Sequence, residues 1–286
     1  MKYLAFIAGI ALSVAIDSAA SAQAATEPSP PQGAAAVSSQ AESIPAADLS
    51  GARKARGLIE QAIQALGGQA YLNVQNIEEQ GRTYSFHHGN PTSNGLLFWR
   101  FVENPDKERI EVTPERDVAY LYTGNKGYEL TYKGPRAIEQ KDLDDYLRRR
   151  RFSLETLLRV WINDPKVALF YDGNALAGNL PADQITLIDA NDEAVDLFLD
   201  IDSHLPIKKT YKWRDPVDHE RNVEEEIYDN FRVVQGVNTP YGFTRYFNGD
   251  MQSQRFVNAV HYNQELDQTM FDPNSRYNPN KPAKKH

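Results

Sequence analysis

The chain has 286 residues, of which 24% are charged and 10% aromatic; its formal net charge is -8 and it contains no cysteine. That composition excludes disulfide staples, thiolate metal sites and a thiol nucleophile, and the negative balance disfavours nucleic acid as a partner. Stability has to come from an ordinary apolar core.

At the start, Lys2 stands beside the amino terminus, an apolar run extends from Tyr3 to Ile16, and small residues end in Ala22-Gln23-Ala24. These are the three parts of a secretory signal, so residues 1–24 are expected to be removed after Ala24. A membrane anchor needs roughly 20 apolar residues, and Asp17 stops this run short of that. A lipid anchor needs a cysteine at the cleavage site. The expectation is an exported, periplasmic protein, free rather than tethered.

Residues 25–50 are rich in Ala, Ser and Pro without an apolar period, and read as a flexible linker. Ala55, Leu58, Ile59, Ala62, Ile63 and Leu66 then recur at helical spacing, and Gly67-Gly68 supplies a stop. This helix opens a domain over 51–275, followed by a disordered basic tail at 276–286.

After the helix, short alternating runs are separated by Gly, Asn, Asp and Pro turns, the pattern of an antiparallel meander. Strands are expected over 77–86, 96–102, 108–112, 118–123, 128–133, 167–171, 185–189, 195–201, 207–213, 223–234, 241–247 and 255–262. Val195, Leu197, Leu199 and Ile201 share one face while Asp196, Asp200 and Asp202 share the other, so one sheet face is apolar and the other wet. Residues 141–163 interrupt the meander as one bent helix or two short ones. Ser153 can cap the second, and Asp164-Pro165 ends it.

The last third carries the most specific pattern. Asp200-Ile201-Asp202-Ser203-His204-Leu205-Pro206 leads into a strand, Gly236-Val237 and Pro240 close the next one, and the run from Val257 to Asn263 ends ahead of Phe271. Together these resemble the lipoprotein-localisation carrier superfamily (LolA/LolB-like, the outer-membrane lipoprotein-sorting proteins), in element order over about residues 53–272. The resemblance implies a mainly β (α+β) fold: an open, strongly curved antiparallel β-barrel, or half-barrel, with covering helices. It also implies a hydrophobic cavity for acyl chains, no cofactor, a lipid or lipid-modified protein as cargo, and partners in the outer or inner membrane. The expected species is a monomer.

On alternation, the inward set is expected to be Leu97, Trp99, Phe101, Ile110, Val112, Tyr128, Leu130, Val195, Leu197, Leu199, Tyr211 and Trp213, and the cavity wall to draw on it. The helices add Leu157, Leu158 and Trp161. A packed core produces the same apolar faces, so the alternative is a non-enzymatic envelope interaction module with a fully packed barrel. The basic run Arg148, Arg149, Arg150 and Arg151 is a solvated face or a contact for lipid head groups. On the carrier reading, Leu158→Glu is expected to abolish lipid retention without unfolding the protein.

Other chemistries find little footing. His87-His88 and the group Asp215, Asp218, His219 and Glu220 lack a recognised metal spacing, and no Gly-x-Ser-x-Gly elbow or Gly-rich phosphate loop occurs. Glu224 and Glu226, on one strand face, read as an acidic patch facing water. The chain is expected to bind rather than catalyse.

Overall fold

The structure is a computed structural model and describes residues 46–92, 94–275 and 277–279. The signal at 1–24, the linker up to residue 45 and the tail from residue 280 lie outside the described residues.

Helix α1 (Ala46–Ala65) begins inside the stretch read as linker, and its stripe of Ala55, Leu58, Ile59, Ala62 and Ile63 is buried. The stop is built from Gly67 and Gly68, both at positive φ. A Cβ on Gly67 would lie 2.3 Å from the carbonyl oxygen of Gly236, so this stop is also where a distant hairpin docks. Asn238 secures that contact, donating its amide N–H to Leu66 O and its Nδ2 to Ala65 O.

A short α2 (Gln69–Leu72) leads into β1 (Asn76–His87), β2 (Asn90–Pro91), β3 (Leu96–Glu103), β4 (Lys107–Val112), β5 (Val118–Thr123), β6 (Lys126–Thr131) and β7 (Gly134–Ala137). Helices α3 (Gln140–Arg151) and α4 (Leu154–Arg159) follow, with a 3-10 turn at Trp161–Asn163. The chain returns to strands as β8 (Ala168–Ala177), β9 (Leu180–Ile188), β10 (Ala194–Asp200), β11 (Pro206–Arg214), β12 (Arg221–Asp229), β13 (Arg232–Val234), β14 (Val237–Thr239), β15 (Gly242–Phe247) and β16 (Asp250–Tyr262). Fourteen strands form one antiparallel sheet in the order β7-β6-β5-β4-β3-β1-β16-β15-β12-β11-β10-β9-β8, with β2 paired to β1, while β13 and β14 make a separate hairpin. The edge strands β7 and β8 do not pair with each other, so the sheet is open.

Some joins differ from expectation for local reasons. The run 223–234 breaks at Asn230, whose φ of 53° ends β12 and reverses the chain. Asp172-Gly173-Asn174 has turn composition, yet β8 continues through it with a bulge between Tyr171 and Gly173. Ser153 caps α4 as its sequence predicts, its Oγ accepting from Thr156 N at 3.2 Å.

The main core joins α1, α4 and the 3-10 turn to the β8–β11 end of the sheet, where Leu169, Ile185, Leu187, Val195, Leu197 and Leu199 are buried. The opposite face is not wet throughout. Over β3–β6 it is covered by the segment after β16, where Met270 and Phe271 pack on Phe101 and Leu121. Beneath that cover Glu111 is fully buried; Arg109 Nε donates to it at 2.7 Å and Arg109 Nη1 donates to Met270 O at 3.0 Å. Tyr277, counted by sequence in the tail, packs against this cluster and stacks on Arg109.

Candidate functional site: a charged cavity beneath the helical cover

Where the sheet curves away from the helices, it leaves a cavity of about 1040 Å³. Its roof is the C-terminal half of α3 and the first turn of α4, and its floor is the middle of the sheet from β5 to β11. The floor is built from residues that antiparallel register sets side by side. Lys209, Glu226 and Arg245 are directly opposed across β11, β12 and β15, and Tyr228, Phe243, Arg255 and Thr83 form the next row across β12, β15, β16 and β1. On the other side Glu79 faces Arg100 across β1 and β3, and Glu108 faces Tyr122 across β4 and β5. Each is an alternate residue pointing to the helix side, so the wall's charge follows from strand register.

The charges are tied into a network. Arg100 Nε donates to Glu108 at 2.5 Å and Arg100 Nη1 to Glu79 at 3.0 Å. Lys209 lies 3.0 Å from Glu226 and also donates to Phe152 O at 2.7 Å. The Tyr228 hydroxyl donates to Glu226 at 2.9 Å, and the Tyr146 hydroxyl reaches down from α3 to Glu108 at 2.7 Å.

Burial opposes the ionised form of Glu226, but Lys209, with help from Arg255 and Tyr228, outweighs it and brings the carboxyl down to about 2. Burial likewise opposes ionisation of Glu108, and Arg100 and Tyr146 overcome it, so this carboxyl also sits below its usual range. Burial disfavours the Arg100 cation, yet Glu108 and Glu79 hold it more firmly charged than usual. At neutral pH the wall therefore presents fixed charges and hydrogen-bond donors. That chemistry suits holding a polar group rather than moving protons.

No protein-family model matches this sequence, and no curated protein matches it. Solved structures do. A DUF1329-family protein from Desulfovibrio piger superposes with a TM-score of 0.55 at 10% identity, over 76% of this chain and 97% of that one. An outer membrane lipoprotein-sorting protein domain from Vibrio parahaemolyticus does so with a TM-score of 0.51 at 10% identity, over 77% and 97%. The chain has a LolA-like fold. A LolA superfamily protein from Nitrosomonas europaea matches over 76% of this chain and 96% of its own, at 13% identity and a TM-score of 0.48.

Within this LolA-like fold almost all of the expected wall residues lie elsewhere. Of those fifteen residues, Ile110 lines the cavity and the other fourteen do not. On β3 the helix-side positions are Phe98, Arg100 and Val102, which sends Leu97, Trp99 and Phe101 to the other face; Trp99, Phe101, Tyr128 and Leu130 belong there to the cluster under Met270 and Phe271. Leu157, Leu158, Trp161, Leu197, Leu199, Tyr211 and Trp213 do sit on the helix side, packed into the main core beside the cavity.

The basic run divides as well. Arg148 pairs with Asp145 at 2.8 Å and lies over the Trp213 ring, Arg150 donates to the carbonyls of Asp106 and Gly124, and Arg151 pairs with Asp189 and Glu193. Arg149 turns into the cavity. His87 and His88 stand at the rim, and Asp215 closes a turn by accepting from the Val217 and Asp218 amides.

Sequence reasoning missed Glu79, Arg100, Glu108, Lys209, Glu224, Glu226, Arg245 and Arg255, because a charged residue alternating with apolar ones is what a solvent-facing position looks like. The usable signal was complementarity: Lys208-Lys209 and Glu224-Glu225-Glu226 are strands joined by one turn, so opposite charges meet in register.

Proposed function

We propose that the protein is a binding or carrier protein of the cell envelope that holds one amphiphilic molecule, a lipid or the lipid-modified end of a protein, in the cavity beneath α3 and α4. The observation that carries this reading is the cavity itself, at the upper end of the roughly 300–1,000 Å³ typical of ligand sites. A fully packed interior does not accord with that space. The LolA-like fold and the signal read at residues 1–24 support the envelope setting.

The mixed wall determines how such a molecule lies. Leu66, Ile77, Val102, Ile110, Leu154 and Phe243 offer apolar surface, where each buried CH₂ group contributes about 0.8 kcal/mol. The charged rows across β1, β3, β11, β12 and β15 hold the polar part. Cargo exchanges when α3 lifts, because its roof contacts are polar and aromatic whereas α4 is rooted in the core.

The test is binding of an environment-sensitive fluorescent acyl probe to the wild type and to Val102→Trp and Ile110→Trp, whose indoles would fill the cavity. Enhanced, saturable fluorescence with the wild type and at least about tenfold weaker binding by the filled variants is expected. No binding, or equal binding by filled variants that remain folded, overturns the reading.

A further inference from the structure

The cavity's cations are unequally satisfied. Arg100 has two carboxylate partners, Arg255 lies 3.8 Å from Glu79 and is stacked 3.9 Å over Phe243, and Lys209 is bonded to Glu226 and a carbonyl. Arg245 has one carboxylate within 4 Å, Glu224 at 3.9 Å, too far for a hydrogen bond, with Glu226 farther off, although its side chain is only 18% exposed. Arg149 has no ion-pair or hydrogen-bond partner among the described residues, while Arg148, Arg150 and Arg151 beside it are all engaged. Both Arg149, from α3, and Arg245, from β15, line the cavity.

Two guanidiniums brought together in a partly dry space repel each other and keep unused donors. Burial and the Arg149 charge both lower the hold of Arg245 on its proton. An anion between them removes the repulsion and takes paired N–H donors from each planar fork. The surplus is local: the carboxylates of the cavity floor are committed to Arg100, Lys209 and Arg255, and the nearest, Glu224, stands off from Arg245.

We propose that Arg149 and Arg245 form a subsite for an anionic group of the ligand, a phosphate or carboxylate, and so select an anionic rather than a neutral amphiphile. This rests on the carrier reading and names the chemistry of its ligand. The charged group enters with α3 lifted and is then clamped between roof and floor, since Arg149 travels with the helix and Arg245 stays on the sheet.

Binding of three probes to the mature protein, measured by titration calorimetry, tests it: dihexanoyl phosphatidic acid, dihexanoylglycerol and glycerol 3-phosphate. The wild type is expected to favour phosphatidic acid over the neutral diacylglycerol by about tenfold or more, the scale of one or two charge-assisted hydrogen bonds. Arg149→Gln and Arg245→Gln should each bring that preference within about threefold, and Arg245→Lys should fall between, keeping charge but losing the fork. Arg149→Gln removes a side chain that makes no ion pair or hydrogen bond among the described residues, so its fold is expected to match the wild type by circular dichroism.

Equal binding of the acidic and neutral lipids would overturn the anion subsite while leaving the carrier reading intact. Undiminished preference in the folded Arg149→Gln variant would overturn it too. Arginine-dependent binding of glycerol 3-phosphate as tight as that of phosphatidic acid would support the subsite but identify a soluble anion as the ligand, against the carrier reading. Failure of all three probes to bind would overturn both.

Discussion

Lys209, 4% exposed, keeps its ammonium inside the protein because Glu226 and the Phe152 carbonyl receive it. Taking away one member of such a pair leaves the other charge buried, a loss of about 3–5 kcal/mol. Glu226→Gln is therefore expected to lower unfolding stability by an amount in that range, measured by urea denaturation at pH 7. The same carboxyl governs acid sensitivity. Its folded pKa is depressed below the ordinary 4.5 to about 2, so its contribution is complete above pH 4.5 and is lost as pH falls toward 2; Glu108 acts with the same sign. A stability profile that falls over this window in the wild type and flattens in Glu226→Gln is the expected result. Leu158 marks the opposite lesson. It is fully buried in the core, so Leu158→Glu is expected to unfold the protein rather than empty its cavity, which corrects the sequence-based expectation. A variant that keeps the wild-type melting temperature would contradict that.

The two helices of the cover are held differently. In α4, Leu157 and Leu158 are in the core, Ser153 caps the first turn, and Arg159 reaches the carbonyls of Leu72 and Val74. In α3 the anchors are Leu143 and Tyr146; the Tyr146 ring stacks on Tyr122 with centroids 3.5 Å apart, and its hydroxyl bonds Glu108. Tyr146→Phe keeps the stack and removes a hydrogen bond to a charged group, a change of about 1.5–3 kcal/mol. Faster amide exchange confined to α3 is expected by hydrogen-exchange mass spectrometry; equal acceleration in α4 would show that the cover moves as one piece.

Element order was legible because period-two alternation and turn residues do not depend on what covers each face. The helix at 55–66, the α3–α4 break and its Ser153 cap were readable for the same reason. Which face looks inward was not legible on β3: Leu96-Leu97-Phe98-Trp99-Arg100-Phe101-Val102 is apolar at both parities, because the segment around Met270 covers its far side. Arg100, the residue that faces the cavity, looks like the solvent-facing exception.

At the scale of the molecule, the open sheet carries apolar cover on both sides, a helical one over the main core and cavity and a C-terminal one over β3–β6. The two have separable roles. Phe271→Ala should cost about 3–5 kcal/mol in stability, as for a large aromatic removed from a core, yet leave ligand affinity unchanged because Phe271 lies on the face away from the cavity. Thermal melting and probe titration on one preparation read both quantities. The central claim is that the cavity holds an amphiphile, and native mass spectrometry of the protein, purified without detergent and followed by solvent extraction, meets it most directly. An added mass that the extract resolves into an acyl-bearing molecule with an anionic group is the predicted result. A bare protein mass that stays unchanged after incubation with envelope lipids would contradict the account.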